Sequence, residues 1–245
     1  MSNAYTQRYF GNFQSTSRSS AEVVVPQLMQ WFSPASVIDL GCGVGQWLAA
    51  FAAAGVRDIR GVDGNYVDRA QLAIGPSEFT AHDLAQPYRP ERRYDLAMSV
   101  EVAEHLEPAQ GAALVGALVE AADVILFSAA APHQAGVKHI NCQWPAYWSR
   151  LFQAHGFAAI DAIRPRIWND ARVDWWYRQN VLLYVRENRL PQWPFLAPYR
   201  TDEPLALVHP EMLEGIFNWG MEAERKYWAL WQESQKTAGL PSSNS

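Results

Sequence analysis

Cysteine is scarce: the 245-residue chain holds only Cys42 and Cys142. Two thiols cannot make a disulfide framework, which points to a reduced, cytoplasmic setting. Long apolar runs are missing too. None approaches the roughly 20 residues that a membrane span needs, so no membrane partner is expected. The start "MSNAYTQRYF" lacks the basic end and apolar core of a signal peptide. No Lys/Arg run exists and the net charge is −5, which argues against a nucleic-acid partner. No internal repeat is visible. What remains, 49% apolar and 18% charged residues, is the composition of an ordinary globular protein. The length suits one sizeable domain, alone or with an appendage.

Short apolar runs at Val37–Leu40, Ile59–Asp63, Phe79–Asp83, Tyr94–Val100 and Val124–Ala129 end near Gly, Asp or Ser. Between them, Trp47–Ala54 and Pro108–Ala121 have helical spacing. Strands alternating with helices predict βαβ units, a parallel sheet wound on both faces and right-handed crossovers. Ala158–Ile163 and Val181–Val185 read as a closing pair, too far apart for a tight hairpin.

The stretch "VIDLGCGVGQW" carries the chemistry. Gly41, Gly43 and Gly45 follow a strand, and glycine there lets backbone approach a ligand closely or take positive φ. A dinucleotide fingerprint would need its third glycine at position 46, which is Gln46. The observed pattern is Asp-x-Gly-x-Gly-x-Gly. Asp39 in it can accept from the loop or from a ligand amine. A nicotinamide dehydrogenase also lacks support from a Tyr-x-x-x-Lys pair, since the only lysines are Lys138, Lys226 and Lys236.

With this motif the sequence resembles class I S-adenosylmethionine-dependent methyltransferases over roughly residues 35 to 190. The resemblance implies an α/β fold: a doubly wound, mostly parallel, seven-stranded sheet with an antiparallel last strand. It implies S-adenosylmethionine as cofactor and S-adenosylhomocysteine as product. Asp39, Gly41, Cys42, Gly43 and Gly45 form the first motif. Asp63, with Gly64 after it in "IRGVDG", takes both ribose hydroxyls. Asp83 in "AHDL" meets the adenine amine, with His82 and Leu84 beside the ring. "YDLAMSVEVAEHL" places Ser99, Val100 and Glu101 against the cofactor. Taken alone, Asp63 reads equally as a turn former and Asp83 as a helix cap. As an ordered set, each piece ends a strand on the edge where the ligand lies.

On the acceptor side, "SVEVAEHLEP" puts Glu104 and His105 in the loop facing the transferred methyl. His105 suits a general base because the ordinary imidazole pKa is near neutrality. An ordinary polar residue before a helix, with Glu104 supporting the helix N-terminus, is the plainer account. A third account rests on likeness to small-RNA 2′-O-methyltransferases and ubiquinone-pathway O-methyltransferases. It makes Glu101, Glu104 and His105, with His139 in addition, ligands of a Mg²⁺ or Mn²⁺ ion, which oxygen and imidazole donors suit.

Nine of the 11 tryptophans follow residue 140. Trp144, Trp148, Trp168, Trp175 and Trp176 read as a substrate cover for sugars or ring systems, or as core. Tyr5, Tyr9, Phe10 and Gln14 read as a lid, and Arg18 as a partner of the methionine carboxylate. The expected organisation is an N-terminal lid and first helix at 1–34, the cofactor domain at 35–189, and a C-terminal extension at 190–238. A disordered tail at 239–245 completes it. The extension carries an amphipathic, aromatic-rich helix with Met212, Ile216, Trp219, Tyr227 and Leu230 at helical spacing, a face for the domain or for a homodimer partner. The expected function is O-methylation of a small-molecule acceptor: a sugar, glycan precursor or natural-product intermediate. The alternative from another class is an inactive, cofactor-binding subunit that serves a partner protein.

Overall fold

Val37, Ile38 and Leu40 are wholly buried, as only a strand covered on both faces allows. In the computed structural model, which describes residues 3–237 and the side chains of 17–234, this segment is β1 (Ser36–Leu40). The other strands are β2 (Asp58–Asp63), β3 (Phe79–Ala81), β4 (Leu96–Val100), β5 (Val124–Ser128), β6 (Phe157–Ile160), β7 (Leu182–Arg186) and β8 (Arg200–Thr201). They form one eight-stranded sheet in the order β3-β2-β1-β4-β5-β7-β6-β8. β1 to β5 pair in parallel. β7 runs antiparallel to both β5 and β6, and β8 is antiparallel to β6.

The sequence predicts seven strands. The eighth begins at the end of the Pro-rich segment "LPQWPFLAPYR": Arg200 pairs with Ile160, and Thr201 after it with Ala159. Two residues long and preceded by a Pro-rich turn, it forms one edge of the sheet.

Helices cover both faces. α1 (Asn3–Phe32) buries Ala21, Val24, Val25 and Leu28, an i, i+3, i+4, i+7 stripe. It packs with Trp47, Leu48 and Phe51 of α2 (Gln46–Ala53) on one face of the sheet. The other face carries α3 (Pro108–Ala121) and α4 (Pro145–Ala154), whose Leu114, Val115, Leu118, Trp148 and Phe152 pack on Phe127 and Tyr184. Burying each such side chain contributes about 1.5–3 kcal/mol. α3 spans the expected residues: Pro108 stands at its first turn, and Gln110 accepts back from the Glu107 N–H at 2.9 Å. Two short helices, α5 (Arg164–Ile167) and α6 (Trp175–Asn180), fill the long link between β6 and β7.

The chain divides into two compact units, Met1–Leu207 and Val208–Ser245. Residues 190–207, which the sequence assigns to the extension, are in the first unit because β8 belongs to its sheet. The second unit is α7 (Pro210–Thr237), with Pro210 in its first turn. Leu213, Ile216, Phe217, Trp219, Tyr227, Trp228 and Leu230 are exposed on it. The tail at 239–245 lies outside the described residues. No helix among the described residues is long and apolar enough to cross a membrane.

Candidate active site

The sheet order reverses beside β1, with β2 on one side and β4 on the other, so a crevice opens at the carboxyl ends of these strands. Gly41 and Gly43 turn the chain there at φ +94° and +55°. A Cβ on Gly41 would strike the Val102 side chain at 2.3 Å, whereas one on Gly43 would meet nothing within 4 Å. Gly41 therefore lets the β4 loop close in, and Gly43 faces the open crevice. Asp63, at the end of β2, is 5% exposed; its Oδ2 accepts from the Gly43 N–H and its Oδ1 from the Gly64 N–H, each at 2.6 Å. The Tyr66 hydroxyl donates to the same Oδ1. Asp39 is buried with Oδ1 unpartnered. Burial, then the Asp63 charge, holds its carboxyl well above the usual range. Cys42 is buried in the same turn, and burial pushes its thiol far up. Gly45 opens α2.

Asp83 follows β3 as an exposed residue whose Oδ1 accepts from the Ala85 N–H at 3.0 Å, capping a turn. His82 and Leu84 flank it; the His82 ring tilts against Tyr88 with centroids 5.1 Å apart. Ser99 is wholly buried and donates its hydroxyl to the Leu40 carbonyl at 2.7 Å, tying β4 to β1. Val100 is buried beside it.

Glu101 leaves β4 at φ +55°, a left-handed conformation rare outside glycine. His133 and Lys138, in the loop after β5, also have positive φ. Such strain costs about 1–3 kcal/mol per residue and gathers at functional sites. The Glu101 carboxylate accepts from Gln134 Nε2 at 2.8 Å and from Asn180 Nδ2 at 3.1 Å. Asn180 also donates to Gln134 Oε1 at 2.8 Å, which closes the trio. Burial still raises the Glu101 carboxyl, against the pull of Asn180, Gln134 and Ser128.

Glu104 is 0% exposed, and neither of its carboxylate oxygens has a well-formed hydrogen bond. Burial, then the neighbouring Glu101 charge, holds its carboxyl well above the ordinary value. Its backbone carbonyl accepts from the Ile140 and Asn141 N–H groups at 2.9 and 3.0 Å, which pins the loop after β5 against it. That loop carries His139. Ligand atoms of Glu104, His105 and His139 all lie within 4.8 Å of one another, and the two imidazoles meet edge to face at 4.9 Å. His139 Nδ1 lies 3.1 Å from the Gln134 carbonyl, an acceptor only, so Nδ1 carries the proton and Nε2 keeps its lone pair. Partial burial pulls both imidazoles below the ordinary value.

The structure thus brings together Glu101, Glu104, His105 and His139, but commits Glu101 to Gln134 and Asn180. Sequence reading missed those two amides, because their signal is spatial only. The tryptophans divide. Trp148 is core, packed on Phe127, while Trp168, Trp175 and Trp176 are half-buried near α5 and α6. Arg18 is exposed and pairs with Glu22 at 2.9 Å. The side chains of Tyr5, Tyr9, Phe10 and Gln14 lie outside the described residues.

A family model described as "Methyltransferase domain" matches residues 17–201. A search of curated proteins found no match. Among solved structures, the plantazolicin methyltransferase BpumL, crystallised with a desmethyl-plantazolicin analogue and S-adenosylhomocysteine, is 14% identical. It matches over 74% of this chain and 89% of its own, at a TM-score of 0.53. An O-methyltransferase family protein from Burkholderia thailandensis is 15% identical over 67% of this chain and 55% of its own, with a TM-score of 0.52. Magnesium protoporphyrin IX methyltransferase from Synechocystis PCC 6803, solved with S-adenosylmethionine, is 21% identical over 70% of this chain and 80% of its own, with a TM-score of 0.49. At such identities the likeness to the first two establishes the fold alone.

Proposed function

The chain belongs to the methyltransferase-domain family, and on that premise we propose that it methylates a hydroxyl oxygen of a small molecule, with His105 as the base. It is a class I S-adenosylmethionine-dependent methyltransferase. The residues of the crevice fit that cofactor: Gly43 faces open space, and Asp39 holds a buried, unpartnered oxygen suited to a ligand amine. Asp63, and Asp83 through its free Oδ2, would take the nucleoside. The cofactor supplies a sulfonium methyl for in-line displacement. The chain's part is to hold the acceptor hydroxyl close and aligned and to take its proton.

The observation that carries this reading is the His105 imidazole, exposed in a cluster just past β4, with partial desolvation lowering its pKa from the ordinary value. A neutral imidazole can accept the hydroxyl proton, and the half-buried tryptophans offer flat faces to a sugar or ring acceptor. The test is methyl transfer from labelled S-adenosylmethionine to a panel of phenols and sugars, with the methylated atom read by NMR. Label appearing only on nitrogen, carbon or sulfur overturns the oxygen assignment. No transfer to any acceptor, with the cofactor bound, favours a binding subunit.

One observation supports a second reading: a wholly buried Glu104 carboxylate without a well-formed hydrogen bond, beside two neutral imidazoles. A Mg²⁺- or Mn²⁺-like ion needs donors about 2.1 Å away, hence about 3 Å apart at neighbouring corners of its octahedron. The donor atoms, within 4.8 Å of one another, would have to draw closer to ligate it. In this reading Glu104, His105 and His139 hold the cation, which would orient acceptor oxygens. Activity that chelator removes and Mn²⁺ restores supports it; chelator-insensitive turnover eliminates it.

A further inference from the structure

Asp63 meets three protein donors: the Gly43 N–H at Oδ2, the Gly64 N–H at Oδ1 and the Tyr66 hydroxyl at Oδ1. Each carboxylate oxygen offers about two lone-pair positions. Oδ1 is therefore full, and Oδ2 keeps one position. Gripping both hydroxyls of a ribose needs an open position on each oxygen, so one donor must leave Oδ1.

The Gly64 N–H is fixed in the backbone; the phenol is not. Tyr66 is 85% exposed, so little packing holds its ring in place. The ring sits against Gly64, where a Cβ would meet Tyr66 Cε1 at 2.2 Å. This position thus suits the close approach of a side chain that solvent otherwise surrounds. Partial burial of the hydroxyl end, then the Asp63 charge, pushes the phenol pKa far up and keeps it a donor. Rotation of an exposed side chain takes picoseconds to nanoseconds, so such a donor exchanges freely.

We propose that Tyr66 is a latch on Asp63 that competes with the cofactor's ribose and sets how tightly cofactor and product are held. The proposal rests on the reading of Asp63 as the ribose acceptor. As a ribose hydroxyl arrives, it replaces the phenol at Oδ1, one O–H donor for another. As the product leaves, the phenol returns, so Oδ1 keeps a second donor beside the Gly64 N–H. The exchange lowers affinity for S-adenosylmethionine and S-adenosylhomocysteine alike and speeds product release.

The test is calorimetric titration of S-adenosylhomocysteine into the full chain and three variants: Tyr66→Phe, Asp63→Asn and the double variant. The Tyr66→Phe ring is exposed and the same size, so the variant should fold. Tyr66→Phe should bind about five- to thirtyfold tighter, the scale of a hydrogen bond to a charged group less the water that replaces it. Stopped-flow release of S-adenosylhomocysteine should slow in step. Asp63→Asn should bind more weakly, and adding Tyr66→Phe to it should change affinity much less than in the wild type, the coupling a double-mutant cycle isolates. If Tyr66→Phe binds equally or more weakly while Asp63→Asn is impaired, the latch is wrong and the ribose assignment stands. If Asp63→Asn binds like the wild type, the ribose assignment fails and the latch falls with it.

Discussion

In the proposed mechanism His105 is the side chain whose titration sets the rate. Burial lowers its pKa from the ordinary 6.5, so as a base it stays neutral and competent through neutral pH and is lost only as pH falls below that value. The pH–rate profile should therefore hold through pH 7 and drop on the acid side. Substituting His105→Ala should cut kcat by about 10²–10⁴ and leave cofactor affinity nearly unchanged; a variant that retains wild-type kcat would exclude His105 as the base. Glu104→Gln separates the two readings, since a cation would lose a ligand whereas a base would lose only a neighbour. Gly43→Val should abolish S-adenosylhomocysteine binding in calorimetry, because its side chain would enter the open crevice at a positive φ. At this scale the sequence showed where the acids and the histidine fall along the chain: Asp39 lies near the end of β1, Asp63 closes β2, Glu101 follows β4, and His105 lies in the turn beyond it. It could not show Gln134 and Asn180 closing on Glu101, because those contacts join residues 33 and 79 positions apart. Nor could it show that Tyr66 folds back on Asp63, a choice made by side-chain rotation.

At the scale of elements, legibility followed local signals. α3 was readable from Pro108 and the apolar spacing after it. α4 was not, because Trp148 and Phe152 stand among residues that also suit a substrate cover. β8 was hidden by its two-residue length and the prolines just before it. What holds that late segment is Arg164, 1% exposed. It pairs with Asp161 at 2.6 Å and donates to the Gln179 and Leu205 carbonyls at 3.1 and 3.0 Å. Arg164→Ala leaves a carboxylate and two carbonyls without their donor, and should cost about 3–5 kcal/mol, the scale for breaking a buried pair. Urea unfolding of the variant measures this; a loss below about 1 kcal/mol would mean that water replaces the guanidinium, as at an exposed pair.

For the whole molecule, the division after Leu207 predicts where the chain tolerates shortening. A protein ending at Leu207 should unfold cooperatively and bind S-adenosylhomocysteine with wild-type affinity. One ending at Arg189 loses β8 and the Leu205 carbonyl that Arg164 holds, and should melt lower or aggregate. Equal melting temperatures for the two would refute this division of labour. Saturating S-adenosylhomocysteine at 100 times its Kd should stabilise the Leu207-ended protein by about 2.7 kcal/mol, the mass-action increment for a ligand that binds only the folded state.

The sheet begins and ends on its shortest strands, β3 with three residues and β8 with two. An edge strand offers its unpaired N–H and C=O groups to any passing chain, and a long, flat one templates fibrils. Here the apolar "FAAI" of β6 would be that template. β8 covers half of it, with Pro198 and the charged Arg200 at the rim. Neither margin is long enough for a stranger to zip onto. Copies of the protein crowded in a cell are thus denied growth by strand addition.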